Sequence, residues 1–119
     1  MKSYKDLIVW QKGIQLVVLI YQLLNKFPKE EVFGLSSQIK RSAVSIPSNI
    51  AEGKMRGSNN EFRRFLLIAY GSGAELETQI EISKKLEKTK NLNYREIDEL
   101  LLEIMKMLNK LINDLEPKA

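Results

Sequence analysis

The amino-acid sequence predicts an all-α fold, an antiparallel up-and-down four-helix bundle with a kinked second helix, occupying residues 1–119 as one domain. Three observations predict it. Apolar residues recur at spacings of three and four along four segments, the period of a helix face. No segment alternates apolar and polar residues as a half-buried strand does, and no repeat is visible. The segments are separated by a few residues, and a chain that reverses so quickly lays neighbouring helices antiparallel.

The first helix is predicted from about Tyr4 to Lys26, with Leu7, Trp10, Ile14, Val17, Val18, Tyr21 and Leu24 on its face. Ile8, Val9, Leu16, Leu19, Ile20 and Leu23 widen that face beyond one stripe, so the helix is central or also packs on another subunit. Pro28 ends it, because proline disfavours helical geometry in the preceding residue. Pro28-Lys29-Glu30-Glu31 begins a short turn, interrupted by Gly34.

The second helix is predicted over Leu35 to Met55, with the stripe Leu35, Ile39, Ala43, Ile46 and Ile50. Pro47 removes one backbone hydrogen bond inside it, which predicts the kink. Gly57 closes it. Ser58-Asn59-Asn60-Glu61 has capping-box spacing and opens a third helix to about Lys88, with Phe62, Phe65, Leu66, Ala69, Gly73, Leu76, Ile80 and Leu86 inward. After a loop at Asn91 to Asn93, a second cap starts a helix whose stripe is Ile97, Leu100, Leu101, Ile104, Met107, Leu108, Leu111 and Leu115.

Composition narrows the function. With no cysteine and no histidine, disulfides, thiolate and histidine catalysis, and the usual zinc ligands are all excluded. The longest apolar run, Leu16 to Tyr21, is too short to cross a bilayer. The N-terminus lacks the plan of a signal peptide, so the expectation is a cytoplasmic protein without membrane contact. Glu77 and Glu81, one turn apart, are the one pair that suits a hard cation, but nothing else organises a site around them. Ion pairing of the carboxylates Glu52, Glu75, Glu77 and Glu81 with Arg41 or Arg64 is their expected use; no catalytic residue, metal site or cofactor is expected.

The net charge of +4 is unevenly placed. Residues 36–66 carry Lys40, Arg41, Lys54, Arg56, Arg63 and Arg64 against Glu52 and Glu61. Lys54 and Arg56 close the second helix while Arg63 and Arg64 open the third, so these four should gather at one end of the bundle. Such a patch suits phosphate contacts. It equally suits a solvated end with cations near a helix C-terminus. No base-reading motif accompanies it.

Beside the apolar stripe of the second helix runs a polar one that includes Gln38, Ser45, Asn49 and Glu52. Small polar residues suit close helix contact with hydrogen bonds across it, or satisfaction of backbone groups freed by Pro47. A ligand or subunit contact is the other use. Gly71-Ser72-Gly73 in the middle of the third helix predicts another backbone close by, most simply the second helix at Ser42, Ala43 and Ile46.

Several separated motifs resemble a known family: Tyr4-x-x-Leu7-x-Val9-Trp10, Ser45-Ile46-Pro47-Ser48-Asn49-Ile50-Ala51-Glu52-Gly53, and Gly71-Ser72-Gly73-Ala74-Glu75-Leu76-Glu77. The chain resembles, over nearly its whole length, the four-helix-bundle proteins encoded in intervening sequences of bacterial 23S ribosomal RNA genes. The resemblance implies a homo-oligomer, a pentameric ring or barrel. It also implies kinship with the accessory protein of diversity-generating retroelements, which binds a reverse transcriptase and nucleic acid through basic surface. The resulting expectation is a non-enzymatic, homopentameric scaffold contacting RNA or DNA phosphates. The alternative is a protein-interaction module docking an acidic partner such as a reverse transcriptase or ribonucleoprotein component.

Overall fold

The computed structural model describes residues 3–31 and 34–117. Four helices carry the fold: α1 Ile8–Leu24, α2 Leu35–Met55, α3 Asn59–Ser83 and α4 Arg95–Asp114. Each packs on its neighbours in sequence and α1 closes the ring against α4, while the diagonal pairs do not meet. This is the expected up-and-down bundle.

α1 starts later than expected, because Ser3 caps a separate 3₁₀ turn, Tyr4–Asp6, through reciprocal bonds with Lys5 and Asp6. Its buried face is Val9, Gly13, Leu16, Ile20 and Leu23. Of the stripe expected to face inward, Ile14, Val18 and Tyr21 are instead exposed. Two apolar stripes compete on this helix, and Gly13 selects between them. A methyl group there would stand 3.3 Å from Pro47 Cβ, so its bare backbone lets α1 lie against α2.

α2 has the predicted bounds and the predicted core stripe. It is rich in poor helix formers, and Pro47 alone costs about 3 kcal/mol in a helix interior. Full burial of Ile39, Ile46 and Ile50, at about 1.5–3 kcal/mol each, outweighs that cost. Tertiary packing therefore holds α2 helical, and the helix runs through Pro47 without interruption. The turn before it contains a 3₁₀ segment, Lys29–Glu31; residues 32 and 33 in the middle of that turn lie outside the described residues.

Between α2 and α3 the chain reverses at Gly57, whose φ of 86° favours glycine. The Ser58 hydroxyl accepts the Glu61 backbone N–H at 3.2 Å, half of the expected capping box. The Glu61 carboxylate turns to Arg64 rather than back to the cap. α3 ends at Ser83, short of Lys88, and Leu86 is exposed rather than inward. There the Thr89 hydroxyl donates to the Ser83 carbonyl at 2.7 Å and the Tyr94 hydroxyl to the Thr89 carbonyl at 2.8 Å. These buried bonds fold residues 84–94 into their own turn. α4 then buries Ile97, Leu101, Ile104, Met105, Leu108 and Ile112.

The mid-helix glycines of α3 serve differently from expectation. A Cβ on Gly73 would collide with the thioether of Met105, so the close neighbour is α4, whereas Gly71 faces open space. Only Ser72 between them meets α2, at Ser45.

A basic end and a polar groove

The α2–α3 reversal brings Lys54, Arg56, Arg63 and Arg64 to one end of the bundle. Two phenylalanines organise three of them. Lys54 Nζ lies 5.3 Å from the Phe62 ring centre, while the Arg56 and Arg64 guanidinium carbons lie 5.0 and 4.6 Å from that of Phe65. Phe62 and Phe65 are core residues whose outer faces these cations cover. Sequence reading missed the pair as a platform; the signal was two aromatics one turn apart beside Arg63 and Arg64.

Carboxylates temper the patch. Arg64 Nε lies 2.9 Å from Glu61, and Arg56 lies 3.7 Å from Glu52 and 4.0 Å from Glu61. The Arg64 hydrogen bond holds the Glu61 carboxyl below its ordinary range, and Glu61 raises the Arg64 guanidinium in return. Arg63 is turned elsewhere: its Nε donates to the Ile112 carbonyl at 3.0 Å, satisfying one of the last carbonyls of α4.

Lys40 and Arg41 do not join this end. They lie about 20 Å up α2 at 1.5 Å per residue. Lys40 rests on the Tyr21 ring, its Nζ 4.9 Å from the centre. Arg41 borders a groove between α2 and α3 with Gln38, Ser42, Ser45, Glu75 and Gln79.

The polar stripe forms part of that α2–α3 contact. The Ser45 and Ser72 hydroxyls lie 2.8 Å apart, and Asn49 Nδ2 donates to both the carbonyl and hydroxyl of Ser45. Pro47 frees the carbonyl of Ala43, so Asn49 is a brace within the stripe and does not fill that vacancy. Glu52 joins Arg56, and Gln38 stays exposed at the groove. The other carboxylates also differ from expectation: Glu81 pairs with Lys84, and Glu75 accepts from the Ser42 hydroxyl at 3.4 Å. Neither takes Arg41 or Arg64.

A four-helix bundle with a cation-rich reversal and a serine-laced α2–α3 contact is the class of protein these features define. The chain belongs to the family of 23S rRNA-intervening sequence proteins, whose family model matches residues 5–110. It is similar to the crystal structure, at 1.70 Å resolution, of a protein with unknown function from the S23 ribosomal protein family of Bacteroides thetaiotaomicron. The two share 30% identity and a TM-score of 0.80, over 88% of this chain and 98% of that one. No curated protein matches the chain.

Proposed function

We propose that this protein is a non-enzymatic cytoplasmic scaffold that assembles from identical copies, as a homopentamer, and binds nucleic-acid phosphates through the α2–α3 end. The observation that carries the nucleic-acid reading is the set Lys54, Arg56 and Arg64 held over Phe62 and Phe65, with the Arg56 and Arg64 side chains about half exposed. Aromatic rings below fix the cations without neutralising them. Glu52 and Glu61 reduce the local excess, so one copy binds weakly and several copies bind by avidity. Self-assembly is supported by Ile8, Ile14, Val18 and Tyr21, which leave an exposed apolar face along α1.

A salt titration of binding to a fluorescent structured RNA tests the reading. Neutralising several phosphates gives a steep linear fall of log affinity with log salt. Arg56→Glu with Arg64→Glu should abolish binding while sedimentation still shows the assembled form. Binding that is absent, indifferent to salt, or unchanged in the double variant overturns it.

A further inference from the structure

The α2–α3 groove contains a cation and a carboxylate that do not pair. Arg41 makes no ion pair among the described residues, and the nearest polar contact of Glu75 is the Ser42 hydroxyl at 3.4 Å. Between them lies Gln79, only 8% exposed, whose Oε1 is the one buried side-chain oxygen without a hydrogen-bond partner among the described residues. An unsatisfied buried carbonyl costs about 1–3 kcal/mol, and a bundle this regular could have placed leucine there. The groove measures about 510 Å³, within the range of roughly 300–1,000 Å³ of small-molecule sites. It continues along α3 past Gly71 and Ala74, where the missing side chain at Gly71 leaves flat, open backbone.

The chemistry of these groups is specific. Glu75 and Gln79 stand one helical turn apart, about 5–6 Å between Cβ atoms, and both offer acceptors. The Gln79 carboxamide lines the groove, and a half-turn about its last torsion presents the oxygen there, because its two ends are nearly isosteric. Arg41 supplies the donor fork that suits a phosphate. A planar ligand with two adjacent N–H donors and a phosphate matches this set.

We propose that the groove bounded by Arg41, Glu75 and Gln79 binds an unpaired guanine nucleotide, the N1–H and 2-amino group on the acceptors and the phosphate on Arg41. Unpaired bases are read in this way on their Watson–Crick edges. The proposal rests on the nucleic-acid reading above and adds base preference to a scaffold whose basic end reads only phosphates.

The probe is guanosine 5′-monophosphate titrated into the full-length protein by calorimetry, beside inosine and adenosine 5′-monophosphates. A site built for the 2-amino group should bind guanosine monophosphate about tenfold or more tightly than either analogue. Glu75→Gln should erase that preference, and Gln79→Leu should weaken guanosine monophosphate by a similar factor, with far-UV melting confirming the fold. Polyuridylate binding, carried by the basic end, should persist in both variants. Equal binding of the three nucleotides, no binding, or a preference that survives Glu75→Gln overturns the proposal. So does a change of sedimentation in either variant, which would make the groove a contact between copies. Loss of polyuridylate binding by the wild-type protein counts against the phosphate reading alone, since the mononucleotides are scored separately.

Discussion

Gly53 of α2 faces Phe65 of α3 so closely that a methyl group on the glycine would stand 2.6 Å from Phe65 Cβ. Phe62 closes the same space, its ring carbon 3.3 Å and its carbonyl 3.3 Å away. These are rigid atoms near a backbone, and they also carry the platform under Lys54, Arg56 and Arg64. Gly53→Ala should therefore destabilise the protein by about 1–3 kcal/mol through overpacking, despite alanine's better helix propensity. Urea unfolding measures this; an unchanged or higher midpoint would show that α2 and α3 can separate at no cost.

The α3 glycines should respond in a different order. Gly71→Ala adds a methyl to open space in mid-helix and should stabilise by about 0.5–1 kcal/mol. Gly73→Ala meets Met105, whose unbranched thioether can swing aside, so its propensity gain and repacking cost should nearly cancel. The expected ranking in thermal melts places Gly71→Ala highest, Gly73→Ala near wild type and Gly53→Ala lowest. A Gly71 variant less stable than wild type would contradict the open surroundings.

The difference among these glycines explains what sequence could and could not reveal. Helix number, the α2 bounds and the Ile39–Ile46–Ile50 stripe were legible because period and punctuation are local properties. The burial of α1 was not: its two apolar stripes are equally good by composition, and the choice depends on Gly13 meeting Pro47 in another helix. Gathering of Lys54, Arg56, Arg63 and Arg64 followed from their places beside one reversal. That Arg63 turns to Ile112 did not, because its acceptor lies 49 positions away on α4. Gln79 likewise reads as an ordinary surface glutamine until α2 covers it.

Arg63 and Arg64 are neighbours in sequence with different duties, and single substitutions should separate them. Removing Arg63 leaves the Ile112 carbonyl without its donor and takes a cation from the C-terminal end of α4. Arg63→Ala should cost about 1–2 kcal/mol. Arg64 makes an exposed pair one turn from Glu61, the kind of contact worth about 0–1 kcal/mol. Arg64→Ala should scarcely move the unfolding midpoint. Equal losses in the two variants would refute the capping role of Arg63.

The turn between α3 and α4 should govern stability at alkaline pH. Burial raises the Tyr94 phenol above its ordinary value, partly offset by its hydrogen bond to the Thr89 carbonyl. Lys84 is also raised, chiefly by its hydrogen bond to Asp98 and then by Glu81, at 2.7 and 2.8 Å. Both groups hold their protons more tightly folded than unfolded. Their contribution is therefore complete below the ordinary values near about 10 and is lost as pH rises through the folded values. The melting temperature should fall steeply above about pH 10, and a spectrophotometric titration should show one of the four tyrosines ionising late. Tyr94→Phe should cost about 1 kcal/mol at neutral pH by removing the bond to Thr89, yet flatten the alkaline limb to the part owed to Lys84. A stability curve for Tyr94→Phe that runs parallel to wild type through the alkaline range would show that the phenol is not linked to folding.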